Sequence, residues 1–306
     1  MINRTMGAAE WRNLLTLAVI WGSAFFLIDI AVREVAPLTF VWLRLSIAAT
    51  ALWLYLWARG QLPLLPLNAI GAMLVLALLN NALPFTLFAW GQTHIDGGLS
   101  SILNATSPIW TVIVAHYFTS DEPMTPGRIA GVGLGFGGVV LMIGPDLLGQ
   151  SLGHALPQLA CLGGAFSYAL AGVWARRFRA MGIAPTSVAA WQLASAAAMM
   201  TPLALFIEQP WQQPLPSAGA WAAIVGLAVV CSAFAYILYF KVIERAGATN
   251  ALLVTLLSPP TAILLSALFL DEQLGPQHLG GLALIALGLA AIDGRPIKRM
   301  RAAFAA

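Results

Sequence analysis

GGLSSILNATSPIWTVIVAHYFTSDEPMTPGRIAGVGLGFGG, residues 97–138, and GATNALLVTLLSPPTAILLSALFLDEQLGPQHLGGLALIALG, residues 247–288, decide the fold of this chain. Laid side by side without a gap, they share Gly97 with Gly247, Asp121-Glu122 with Asp271-Glu272, Pro126 with Pro276, Gly131 with Gly281 and Gly138 with Gly288. Earlier in each half the offset shortens by two, so that Ala36-Pro37 returns as Ala184-Pro185. The chain reads as a duplication with halves 1–150 and 151–306. Each copy has room for five membrane crossings, and an odd number turns the second copy upside down relative to the first. Inverted repeats enclosing a site near the bilayer midplane are an architecture of secondary transporters. Transport is therefore the first expectation.

Composition places the repeat in lipid. With 60% hydrophobic and 9% charged residues and a mean hydropathy of +0.84, the chain cannot cover a water-facing globule with polar groups. Apolar stretches near the roughly 20 residues that span a bilayer run at 11–32, 38–58, 67–91, 96–118, 126–144, 154–175, 185–207, 217–240, 246–270 and 275–293. These predict an all-α membrane protein of ten transmembrane helices, two inverted five-helix repeats around a central cavity. The first stretch exceeds a signal-peptide core and lacks a small-residue cleavage site, so it reads as a mature helix. Cys161 and Cys231 fall inside helices and read as packing residues.

Orientation follows from the basic residues, which concentrate on the cytoplasmic side. With the N-terminus inside, the inner segments hold Arg4, Arg12, Arg59, Arg128, Arg176, Arg177, Arg179, Lys241, Arg245, Arg295, Lys298, Arg299 and Arg301, against Arg33 alone outside. Both termini are expected in the cytoplasm. The net charge of +3 reflects this topology, and basic residues scattered over many loops give no nucleic-acid footprint.

Trp21-Gly22-Ser23 in the first helix, Pro37 then Arg44 in the second, Ser107-Pro108 with Asp121-Glu122, and Ser258-Pro259 with Asp271-Glu272 resemble the double EamA pattern of the drug/metabolite transporter superfamily. The similarity spans nearly the whole chain. Within that superfamily the chain resembles bacterial exporters of amino acids, including the aromatic amino acid exporter group. The resemblance implies a multi-pass protein of the bacterial inner membrane. It also implies that Tyr168 stands where the family often has Trp, bordering the central cavity.

The string Gly133-Leu134-Gly135-Phe136-Gly137-Gly138 matches a dinucleotide fingerprint, but it lies mid-helix with no strand before it. Its glycines instead form small-xxx-small pairs, Gly131/Gly135 and Gly133/Gly137, that let helix backbones approach closely, within one protomer or between two, so that a monomer and a homodimer both remain open. No P-loop string occurs, so ATP is not an expected partner, and no cofactor is expected. No HExxH, no GxSxG and no His/Cys/Asp cluster with metal-ligand spacing is present. Neither a catalytic residue nor a metal ligand is assigned, and the chain is not expected to be an enzyme.

Candidate binding residues come from polar and aromatic groups deep in the spans. Pro84, Pro108, Pro202 and Pro259-Pro260 each free a backbone carbonyl that needs a neighbour or water. Around the first two lie Asn80, Asn81, Phe85, Asn104, Thr106 and Ser107, with Ser232, Tyr236, Asn250, Thr255 and Ser258 answering from the second half. Amides and hydroxyls either line a wet cavity or tie helices together. Trp21, Trp110 and Tyr168 lie deep enough to stack on a small zwitterionic metabolite, whereas Trp11, Trp42, Trp53, Trp57, Trp90, Trp174 and Trp221 read as headgroup-belt residues.

Arg44 sits roughly 9 Å inside the outer boundary at 1.5 Å per residue, and Asp29 lies at a depth that could meet it. The two read as a structural pair or an outer gate, with Arg44 alternatively holding a substrate carboxylate. Neither is at the midplane, and His116 lies toward the inner end of the fourth helix. Small multidrug pumps of the same superfamily use an embedded Glu in their first helix, and this chain has none. The expectation is alternating-access export of small metabolites, most plausibly amino acids, running down a gradient, with proton-coupled drug export as the alternative.

Overall fold

The computed structural model describes residues 8–119, 124–148, 152–246, 254–270 and 274–293, and among these there is no strand. Among the described residues ten helical rods follow one another: α1 (Ala8–Val32), α2 (Pro37–Ala58), α3 (Leu67–Gly91), α4 (Gly97–Phe118), α5 (Pro126–Leu148), α6 (Leu152–Ala180), α7 (Pro185–Glu208), α8 (218–246), α9 (Val254–Phe269) and α10 (Pro276–Asp293). Seven are long and apolar enough to cross a bilayer, and Pro126–Met142, Leu257–Phe269 and Pro276–Ile292 are shorter apolar helices. The ninth expected stretch, 246–270, is described only from Val254, and Gly247, Asn250 and the two Asp-Glu pairs lie outside the described residues.

Helix boundaries follow local chemistry. Pro37 and Pro185, equivalent in the two copies, stand in the first turns of α2 and α7, where a missing N–H leaves no bond unmade. Pro126 and Pro276 open α5 and α10 in the same way. On the expected cytoplasmic side, α2 and α6 end at Gly60 (φ 66°) and Gly182 (φ 69°). There the Gln61 and Ile183 N–H groups donate back to Leu56 and Phe178, a left-handed turn that glycine enters without a Cβ clash.

The packing of the rods repeats the duplication. Exchanging α1 with α6, α2 with α7, α3 with α8, α4 with α9 and α5 with α10 maps the principal contacts onto one another. Helix α1 packs on α9 as α6 packs on α4, α3 packs on α6 as α8 packs on α1, and α2 meets α8 as α7 meets α3. Pairs α2/α7, α4/α9 and α5/α10 map onto themselves, as elements astride a twofold axis must.

The α5/α10 seam displays that axis atom by atom. A methyl carbon at Gly138 would lie 2.6 Å from the Gly281 carbonyl oxygen, and one at Gly288 would lie 2.5 Å from that of Gly131. Gly131 thus faces Gly288 and Gly138 faces Gly281, so equivalent glycines swap partners across antiparallel helices. The expected Gly133/Gly137 pair is not part of this seam, because both face open space. A helix has one contact stripe, and positions 131, 135 and 138 occupy it at three- and four-residue steps.

Three tryptophans also depart from expectation. Trp42, Trp53 and Trp174 sit partly buried in helix seams and donate their indole N–H to Thr201 Oγ1 (3.0 Å), the Ala190 carbonyl (3.2 Å) and the Ala72 carbonyl (2.9 Å). An indole enclosed by helices needs an acceptor, and here it staples the two halves. Trp57, by contrast, is 70% exposed.

Candidate functional site

Three helices contain a π-helical segment, that of α7 closing the helix at Ala204–Glu208, and the other two lose their regular α pitch at corresponding places. Leu78–Ala82 in α3 and Leu227–Phe234 in α8 are π-helical, a widened turn that recurs at functional sites. Each leaves backbone carbonyls to be satisfied from elsewhere. Ser167 Oγ donates to the Leu79 carbonyl (2.7 Å), Ser232 Oγ to the Leu227 carbonyl (3.0 Å) and Trp21 Nε1 to the Cys231 carbonyl (3.2 Å). Both turns project polar side chains inward, Asn80 and Asn81 from α3 and Ser232 from α8.

Arg44 and Gln192 meet these turns from opposite sides. They are separated by the same offset as Pro37 and Pro185 and so hold equivalent places on α2 and α7. Arg44 Nε donates to Ser232 Oγ at 3.3 Å, and Gln192 Oε1 accepts from Asn80 Nδ2 at 3.1 Å. Tyr236, one turn beyond Ser232, lies between them. Its hydroxyl accepts from Asn80 and Asn81 at 3.4 Å each and also bonds Gln192.

Arg44 is 6% exposed, with its guanidinium carbon 3.9 Å from the centroid of the Phe85 ring, a cation–π contact. Among the described residues no carboxylate pairs with it. The expected Asp29–Arg44 pair is not formed: Asp29 binds Arg33 at 2.8 Å, one turn along α1, beside an outer cavity of about 420 Å³ that His94 and Asp96 also line. A residue at i+4 on the same helix is a ready neighbour for a carboxylate. Arg44 therefore stands as a buried cation held by an aromatic face and a hydroxyl.

Other expected residues distribute around this centre. Tyr168 stacks on Phe88 (6.1 Å, 20°) and joins the Arg44 group to the wall formed by Phe25 and Phe88. Asn104 and Ser107 bond each other within α4. Ser258 turns its hydroxyl onto Val254 of its own helix, in a seam where α1 approaches α9 at Gly22. Trp110 packs edge-on between Phe136 and Phe166, away from the Arg44 group. Trp21 is a brace for the α8 π turn and stacks on Tyr239. Gln192 and Phe88 were not foreseen. The repeat offset applied to Arg44 points to Gln192, while Phe88 carries no signal beyond its apolarity.

Carboxylates tie the halves together at the face expected to be the outer one. Glu208, at the end of α7, accepts from the backbone N–H groups of Leu38 (2.9 Å) and Thr39 (2.6 Å) in the first turn of α2. Reciprocally, Glu34 after α1 accepts from the Ser217 N–H (2.6 Å) and hydroxyl (2.7 Å) at the start of α8. The Ser217 hydroxyl and then its N–H hold the Glu34 carboxyl below its ordinary value of 4.5.

A model of the EamA-like transporter family matches residues 13–144 and again residues 156–292. Among curated proteins, the chain is 23% identical to the uncharacterized transporter YoaV of Bacillus subtilis, over 90% of this chain and 94% of that one. It is 26% identical to a probable terminal-alkyne amino-acid exporter of Streptantibioticus cattleyicolor, over 97% of each. It is also 26% identical to the uncharacterized inner membrane transporter YedA of Escherichia coli, over 90% of this chain and 86% of that one. A solved crystal structure shares the fold with a TM-score of 0.64 at 19% identity, over 94% of this chain and 97% of the other.

Proposed function

This chain belongs to the EamA-like transporter family, and on that premise we propose that it exports small amphipathic metabolites, amino acids foremost and aromatic ones among them, across the bacterial inner membrane. The observation that carries the amino-acid reading is Arg44, a buried guanidinium on an aromatic ring that no carboxylate among the described residues neutralises. Charged groups inside a membrane bundle mark substrate paths, and a guanidinium matches a carboxylate in geometry and charge. The similarity to a probable amino-acid exporter supports the reading. Alternating access would rock the repeats 1–150 and 151–306 about the twofold, exposing the π-turn centre to each side in turn.

The basic bias of the loops supports a cytoplasmic location for both termini. In a background with Cys161 and Cys231 replaced by Ala, a single cysteine at Gln212 will react with an impermeant thiol reagent from the periplasm, and one at Arg177 will not. The reverse pattern would invert the protein.

Transport is expected to need no proton. His116 is exposed at the end of α4 and accepts the Met124 N–H, while Asp29 sits with Arg33 at the outer mouth. Purified protein in liposomes will equilibrate labelled neutral amino acids in either direction without a pH gradient. Uphill accumulation driven by an imposed pH gradient, and abolished by His116→Ala or Asp29→Asn, would overturn this and identify the proton carrier.

A further inference from the structure

The duplication is broken in charge at the site itself. Where the first half presents Arg44, the second presents Gln192 at the equivalent place, both buried at 6% and 3% exposure. The α2 side therefore offers a cation, and the α7 side a neutral amide whose oxygen accepts from Asn80. Asn81, fully buried on the α3 π turn, donates its Nδ2 to Tyr236 while its Oδ1 has no hydrogen-bond partner. A buried acceptor without a donor is rare in a folded protein. Phe85, on whose ring the Arg44 guanidinium lies, is one turn from Asn81 on the same face of α3, about 6 Å away.

We infer that the site is a zwitterion clamp carried by the first repeat: Arg44, on its Phe85 platform, takes the substrate carboxylate, and Asn81 Oδ1 takes the ammonium. This rests on the transport reading above. The separation suits an α-amino acid, whose two charged groups sit on one carbon. The side chain is then directed to the ring wall of Phe88 and Tyr168, one turn further along α3. A site with identical halves would bind a substrate in either of two opposed orientations. The Arg44/Gln192 difference selects one, because the cation that takes the carboxylate is present in the first half alone. Amines and amino-acid amides meet an uncompensated guanidinium and are excluded, and carboxylates without an ammonium leave Asn81 unsatisfied.

The test is counterflow of labelled phenylalanine in liposomes, competed by unlabelled phenylalanine, phenylalaninamide and 3-phenylpropionate. Both analogues should compete at least about tenfold more weakly than phenylalanine, since a site built for a polar group rejects ligands that lack it. Arg44→Gln should weaken phenylalanine at least about tenfold and leave the amide unchanged, with Arg44→Lys recovering part of the loss. Asn81→Leu should weaken phenylalanine and leave 3-phenylpropionate unchanged. The analogue series needs no variant, so a folding defect in either mutant does not decide the matter. Equal competition by all three compounds on the native protein would overturn the clamp and leave transport standing. No counterflow of phenylalanine or any other amino acid by the native protein would overturn the transport reading and the clamp with it.

Discussion

Gly131→Leu and Gly138→Leu will each remove most of the folded protein, whereas leucine at Gly133 or Gly137, in the same helix and equally glycine in sequence, will leave it folded. At Gly138 the first added carbon meets the Gly281 carbonyl oxygen at 2.6 Å, and at the facing Gly288 it meets that of Gly131 at 2.5 Å. These obstacles are backbone atoms of a second helix, so relief requires α5 and α10 to separate along their length. Overpacking against movable side chains costs about 1–3 kcal/mol, and parting a backbone seam will cost more than the upper end of that range. Membrane helices have little hydrophobic force to hold them together and depend on such close approach. Gly133 and Gly137 have no neighbour within 4 Å. Thermal unfolding in detergent, followed by size-exclusion chromatography, reads the difference. Equal loss at all four positions would mean that the helix is intolerant of side-chain bulk in general and that the seam has no special part.

Glu208→Ala will be the most damaging single change to a carboxylate in the described chain, and Glu208→Gln will cost less. Helix α2 begins at Ala36-Pro37 with no side-chain cap of its own, and Glu208 of the other half supplies the acceptors that its first turn lacks. Hydrogen bonds to a charged group at a helix N-terminus are the strong kind. Their loss, leaving two donors unmet, is worth about 1–3 kcal/mol. Because the bond crosses from α7 to α2, the same variant should make a cysteine at Thr39 more reactive from the periplasm, which a purely local cap would not do. The reciprocal Glu34–Ser217 contact has a defined pH sign. Its carboxyl is held below the ordinary value, so its contribution is present in full above that value. It is lost only as pH falls through the lowered one. Thermal stability should therefore be insensitive to this contact through mildly acid pH and lose its contribution below it.

The number of helices, their approximate limits and the duplication are properties of the sequence alone, because each rests on a local quantity. A bilayer demands a run of apolar residues of set length, proline at a helix start needs no partner, and a repeat is visible by comparison of the chain with itself. The seam glycines were legible as a class for the same reason. Which of them touch was not, since 131 and 133 differ only in which way the helix faces. The polar residues of the π turns were visible as costly in lipid, but their partners were not. Asn80 meets Gln192 and Arg44 meets Ser232 across more than a hundred residues of chain, and only the packing of α2 and α7 between α3 and α8 brings them together. Asp29 and Arg44 illustrate the converse: depth in the membrane made them candidates for each other, yet helix rotation gave Asp29 to Arg33 and left Arg44 to an aromatic ring. Length, polarity and repetition are written residue by residue along a chain, whereas the azimuth of each helix is set by all its neighbours at once, and it is the azimuth that decides which partner each buried charge meets.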